Sequence, residues 1–344
     1  MKASAQKRQA GNGHIKRLAE VLAGLPERVR YEVLDSAAKH LVAEGHGDQL
    51  AFLFGSNAAE GAPAGTVASA SPVAYPTRAR RRRMIAFGWY GGKFSHLGWL
   101  LPLLPKTRQY CEPFGGSAAV LLNREPSPVE TYNDIDGEVV NFFRVLRSQG
   151  EELVRAIGLT PFSREEFAQA LRREEGLSDL ERARCFFIRA RQVRTGLAQT
   201  ASIGRWANCK GTSRAGMAGV VSRWLGSIEG LPHVALRLLR VQIEDRPAID
   251  VIRLYDSEDT LFYCDPPYPH ETRGDTQSYR YEMEDNDHVE LARALAGARG
   301  KVAVSGYVCN LMNELYGNWR RIDAPEKNCH SVKKPRREAL WVNY

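Results

Sequence analysis

The segment Leu261-Phe262-Tyr263-Cys264-Asp265-Pro266-Pro267-Tyr268 brings an acid, two prolines and an aromatic ring to the end of an apolar run. Consecutive prolines fix φ and carry no N–H, so the backbone there presents carbonyls outward as acceptors. Such a loop suits methylation of a planar amine. The lone pair of an exocyclic amine such as adenine N6 is delocalised into its ring. If the Asp265 carboxylate and the Pro266 carbonyl each accept one amine hydrogen, the nitrogen gains sp3 character and its lone pair is exposed. Tyr268 offers a surface on which a base that has left its duplex can stack. Attack on a sulfonium methyl then needs mainly positioning, and no metal.

A nucleoside donor needs its own seat. Cys111-Glu112-Pro113-Phe114-Gly115-Gly116-Ser117 is a strand end, a glycine turn and a helix start, where a ligand can approach the backbone closely. A second strand ends in Tyr132-Asn133-Asp134-Ile135-Asp136, about 20 residues further on, where an acid can accept hydrogen bonds from two ribose hydroxyls. Asp134 takes the ribose in this reading, and Asp136 is free to cap the helix that follows. No G-x-x-x-x-G-K-[ST] cradle accompanies them, which argues against ATP hydrolysis and for a cofactor without phosphates, S-adenosylmethionine.

These motifs must be held by alternating short strands and amphipathic helices, an α/β pattern. Strands are predicted at Tyr110 to Pro113, Glu130 to Asn133, Leu261 to Cys264, Lys301 to Ser305 and Ala339 to Asn343. Helices are predicted at Ser117 to Asn123, Gly137 to Ser148, Ser163 to Arg173, Ser178 to Arg191, Ala248 to Tyr255 and Asp285 to Ala298. The catalytic domain therefore covers 84–155 and 241–344. Between them, residues 156–240 lose their strands and gain arginines, as an insertion would. Upstream, 1–54 reads as a helical appendage, with a hairpin over 14–54, and 55–83 as a linker rich in Ala, Gly, Ser and Pro that ends in a basic run, Arg78-Ala79-Arg80-Arg81-Arg82-Arg83. That run is either a solvated charge cluster or a nonspecific phosphate contact.

The bulk numbers fit. With 344 residues, 43% of them hydrophobic, the chain can bury one large core, and a net charge of +8 suits an anionic partner. Six scattered cysteines form no C-x-x-C pair, so reduced, mostly buried thiols in a cytoplasmic protein are expected. No segment resembles a signal peptide, and no apolar run is long enough for a membrane span.

In this order the motifs resemble those of the Dam-like (D12 class) DNA adenine-N6 methyltransferases of phages and bacteria, over about Phe87 to Tyr344. Trp89-Tyr90-Gly91-Gly92-Lys93 is similar to the family's first cofactor motif, and Glu112 to Gly116, Asn133 to Ile135 and Asp265 to Tyr268 to its glycine, ribose and catalytic motifs. Val304-Ser305-Gly306-Tyr307 and the terminal Glu338 to Tyr344 match as well. The resemblance implies a Rossmann-like methyltransferase sheet with helices on both faces, an inserted, mainly helical target-recognition domain at 156–240, and double-stranded DNA as partner. It also implies that Trp89 and Lys93 touch the cofactor, Lys93 near its carboxylate. Asp265 would face the transferable methyl, and Asp245 would approach the cofactor adenine, although Asp245 reads equally as a solvated loop acid. In the insertion, Arg182, Arg184, Arg189, Arg191 and Arg194 cluster near one helical face, with Lys210, Arg214 and Arg223 extending the basic surface; Arg189, Arg191, Arg194 and Lys210 are the expected DNA contacts.

Three other readings stay open at this level. One is a methyltransferase for cytosine N4 or a protein amide, since related loops serve planar amines generally. Another is a DNA-binding relic without catalysis. A nicotinamide oxidoreductase is the most distant, because the phosphate fingerprint is absent.

Overall fold

A computed structural model describes residues 83–196, 198–273, 279–325 and 337–344, all within one compact unit. The predicted hairpin, the linker and the basic run up to Arg82 lie outside the described residues, as does Cys329.

Seven strands form one sheet in the order β5-β2-β1-β6-β7-β9-β8. They are β1 (Gln109–Glu112), β2 (Val129–Asn133), β5 (Val241–Glu244), β6 (Thr260–Cys264), β7 (Lys301–Tyr307), β8 (Arg320–Asp323) and β9 (Glu338–Val342). The pairs β5·β2, β2·β1, β1·β6 and β6·β7 are parallel, while β9 runs antiparallel to both β7 and β8. The five predicted strands are all present. The two edge strands β5 and β8 escaped the sequence, and burial explains why. Along β8 three of four residues are exposed, and along β5 only Val241 is buried, so neither carries an apolar signature.

Alternation along the strands divides the core in two. Tyr110, Tyr132, Leu261, Tyr263 and Ala303 face one cluster, and Cys111, Phe262, Cys264, Val302 and Val304 face the other. The first face is covered by α1 (Ala119–Asn123), α2 (Gly137–Ser148), α3 (Gly150–Leu159), α4 (Arg164–Leu171), α5 (Asp179–Gln192), α6 (Gly219–Ile228) and α7 (Leu231–Leu238). The second is covered by α8 (Ala248–Tyr255), α9 (Asp285–Ala296) and α10 (Asn310–Leu315). The sheet is thus sandwiched, as expected.

The helical block at 156–240 does not pack as a separate body. Phe186 and Phe187 of α5 meet Phe142 of α2, with Phe142 and Phe187 stacked at 5.7 Å, and Phe87 joins the same cluster. Besides the short α10, the helices α3, α6 and α7 were not predicted. Gly150, Gly219 and Pro232 stand at or near their starts and break the helical pattern in the sequence, yet a proline in the first helical turn costs nothing. The block also contains a short hairpin, β3 (Ser213–Arg214) with β4 (Met217–Ala218), all four residues exposed.

Strand order reverses between β1 and β6, which are adjacent in the sheet but far apart in sequence. Ligands of open α/β sheets bind in the crevice at the carboxyl ends of strands flanking such a switch. Glu112 ends β1 there, and Asp265 directly follows β6. Among the described residues no helix is long and apolar enough to cross a membrane.

Candidate active site

The glycine turn after β1 is closely packed. The Gly115 N–H donates to the Asn133 carbonyl at 2.7 Å, and Gly116 adopts φ +48°. A Cβ on Gly115 would run into the Tyr132 ring, and one on Gly116 would come within 2.8 Å of Trp89 Nε1. The backbone turns left-handed again at Ala118, φ 53°, which is why α1 starts at Ala119 rather than Ser117. Asp134 closes the turn. Its Oδ2 accepts from the Gly116 N–H at 2.7 Å and its Oδ1 from the Asp136 N–H at 2.9 Å. Burial pushes its pKa up to about 6 against the pull of those two amides, helped by the nearby Asp136 and Asp245 charges. Asp136 caps α2 by accepting from the Glu138 N–H at 3.1 Å, the capping role expected of it.

Asp265 is held differently. Its Oδ1 takes the Lys93 ammonium at 2.7 Å and the Ser305 hydroxyl at 2.8 Å. Among the described residues Oδ2 has no hydrogen-bond partner. Burial raises the Asp265 pKa, with Lys93 and Ser305 opposing. Lys93 is 4% exposed and also donates to the Gly91 carbonyl at 2.9 Å, with Glu338 Oε1 3.7 Å away. Burial disfavours its charge, but the Asp265 and Glu338 carboxylates more than compensate and its pKa is raised.

Both acids line a single cavity of roughly 310 Å3. Trp89, Lys93, Glu112, Pro113, Phe114, Gly115 and Gly116 line it too, as does Pro267. Trp89 has a second role, packing on Phe87 at 5.7 Å. Glu112 is 2% exposed and accepts from the Tyr110 hydroxyl at 2.6 Å; burial carries its pKa up to about 8, although Tyr110 and Arg124 pull it down. Ile135, Pro247 and Ile249 join Phe114 in the lining, which accounts for Ile135 lying 47% exposed in an otherwise buried stretch.

Several expected site residues have other partners or lie elsewhere. The Lys93 ammonium lines the cavity and directs two of its three N–H groups to Asp265 and Gly91. Tyr268 is absent from the cavity lining; it is 8% exposed, edge-on to Tyr307 at 4.8 Å, and bonded to Glu338 at 3.2 Å. Pro266 is buried and also absent from the lining. Asp245 is exposed near Gly137 and does not line the cavity. Arg189 faces the core, 2% exposed, bonded to Glu138 at 2.8 Å and to the Ala170 carbonyl at 2.6 Å, so it cannot reach DNA. Arg191 is largely withdrawn beside Arg223, and burial, then the Arg223 charge, lowers its pKa to about 10. Arg184 is tied to Glu181 and Glu166. By contrast Arg194 and Lys210 are exposed. Among the lining residues that the sequence did not point to are Gln199, Tyr279, Tyr281, Glu282 and Met283. They sit in loops without periodicity or motif, and an aromatic pair near a catalytic loop was the one available signal.

Comparison with known proteins agrees with this geometry. Residues 89–334 match the family model for D12 class N6 adenine-specific DNA methyltransferases. A comparison with curated proteins finds no match. The match takes in the glycine turn, both cavity acids and the loop after β6, and the chain belongs to the D12 class of N6 adenine-specific DNA methyltransferases.

Proposed function

We propose that the chain binds S-adenosylmethionine in the cavity between the glycine turn and Asp134, and methylates N6 of an adenine swung out of double-stranded DNA to Asp265. What supports this is that Asp265, with Oδ2 unpartnered among the described residues, lines the same cavity as Asp134 and Gly116.

The residues suit that cofactor. After its two amide bonds, each Asp134 oxygen keeps a lone pair, which matches two ribose hydroxyls. Phe114, Ile135 and Ile249 offer an apolar slot for a purine. Buried Glu112 supplies a negative charge for a cationic ligand, whose arrival would favour its ionised form. When bound, S-adenosylmethionine supplies a methyl group on a positively charged sulfur.

Lys93 and Ser305 hold Asp265 by Oδ1 and so aim Oδ2 at the amine. Oδ2 accepts one N6 hydrogen, which draws the nitrogen towards sp3 character and frees its lone pair for the methyl. As the new N–C bond forms, the amine sheds one proton to Asp265 Oδ2, whose raised pKa suits it to receive that proton. We assign the packing of the extrahelical base to Tyr279 and Tyr281, with Tyr268 bracing the loop from behind through Glu338. Unstacking the base costs a few kcal/mol, and the exposed segment carrying Arg194, Lys210, Arg214 and the β3–β4 hairpin offers phosphate contacts that offset it. We read 156–240 as the target-recognition region on this basis.

The test is transfer of labelled methyl from S-adenosylmethionine to unmethylated DNA, followed by digestion to nucleosides. Label in N6-methyladenine is expected. Label in N4-methylcytosine or in protein, or none at all, would overturn the reading.

A further inference from the structure

Gln199 lies in the helical block, yet its side chain joins two walls of the cavity. Its Nε2 donates to Asp136 Oδ2 at 2.8 Å, and its Oε1 accepts from the Arg280 N–H at 3.3 Å. Asp136 in turn donates its N–H to Asp134. Arg280 belongs to the segment 279–283, whose Tyr279, Tyr281 and Glu282 line the cavity. Neither amide contact survives a flip, because only nitrogen can donate to a carboxylate and only oxygen can accept from an N–H. The Gln199 carbonyl is itself fixed by Arg173 Nη2 at 2.9 Å. Just upstream, Gly196 adopts φ +73° and lies so near the cofactor motif that a Cβ would stand 3.3 Å from the Gly88 carbonyl carbon. The segment 194–218, whose Arg194, Lys210 and Arg214 are exposed, is therefore anchored on the cavity at Gly196 and Gln199.

We propose that Gln199 is a positioning residue that couples DNA engagement to cofactor binding, by linking the 194–218 segment to the Asp134–Asp136 turn and to the 279–283 wall. This rests on the cofactor and DNA reading above. DNA that shifts 194–218 moves the Gln199 amide that joins both walls, so each ligand changes the affinity for the other by the same factor. A residue that only stabilised the fold would alter both affinities and leave that factor intact.

The experiment titrates S-adenosylhomocysteine, which cannot turn over, into the full chain by calorimetry, with and without sheared DNA lacking N6-methyladenine. The ratio of the two dissociation constants is the coupling factor. We expect roughly fivefold or more in the wild type, falling towards one in both Gln199→Ala and Gln199→Glu. The second variant keeps the acceptor for Arg280 but sets a charge against Asp136, and thermal melts confirm that each is folded. A wild-type factor of one, or variants that keep the wild-type factor, overturns the proposal. Failure of the wild type to bind S-adenosylhomocysteine at all removes the cofactor reading, and the coupling with it.

Discussion

Asp265 and Asp134 share one cavity but are fixed by opposite means. Asp265 hangs from side chains, Lys93 and Ser305, that arrive from distant parts of the chain. Asp134 is fixed by the amides of Gly116 and Asp136, with the left-handed glycine turn aiming the first of them. A side-chain clamp on one oxygen of Asp265 leaves the other unpartnered among the described residues and lets a single substitution retune its charge. A backbone clamp occupies both Asp134 oxygens evenly and resists retuning, so it suits a binding role more than a chemical one.

The sharpest break of that contrast is Asp265→Ala. Turnover should fall by at least about 10²–10³, the scale set by loss of a preorganised polar group, while S-adenosylhomocysteine still binds by calorimetry; near-wild-type turnover would take Asp265 out of the chemistry. Lys93→Met comes next, with a drop of roughly 10² in kcat. Removing the ammonium disfavours ionised Asp265, so its pKa rises and the acidic limb of the kcat profile should move to higher pH. A slower variant with an unmoved limb would mean that Lys93 serves the cofactor instead.

Asp134→Ala should weaken cofactor binding by about 1–3 kcal/mol, the loss of hydrogen bonds to a charged group. In the wild type, affinity should decline as pH falls through about 6, where Asp134 takes up its proton. Asp134→Asn should bind weakly and without that dependence, and a pH response that persists in it must come from another group. The smallest effect separates free charge from buried charge in the helical block. Lys210→Ala should reduce the slope of log affinity against log salt by about one. Arg189→Ala should leave the slope alone and lower the melting temperature instead, because Glu138 loses its buried partner. Equal slopes for Lys210→Ala and the wild type would take the hairpin side away from DNA.

Residues 1–82 fall outside both this comparison and the described structure, apart from the expectations drawn from their composition.

What was readable in advance is local. The Asp-Pro-Pro-Tyr loop, the glycine turn and the Asn-Asp pair are contiguous motifs at strand ends, and the helices Gly137–Ser148 and Ala248–Tyr255 carry their period in their own residues, the first with Asp136 as its cap. Asp245 shows where this runs out. It follows an edge strand with one buried residue, so nothing in its neighbours says whether it turns to the cavity or to solvent.

The sequence by itself determined which groups are able to do chemistry, because an acid beside two prolines, or two glycines beside a strand, keeps its character wherever it is placed. Only the tertiary structure decided which of the charges are spent. Helical spacing puts Arg189 on the same stretch as Arg194, but the packing of Phe186 and Phe187 on Phe142 turns Arg189 inward to Glu138 and leaves Arg194 outside. Likewise Lys93 meets Asp265 across 172 residues of sequence, a pairing that no local pattern encodes because only the folded domain brings the two together.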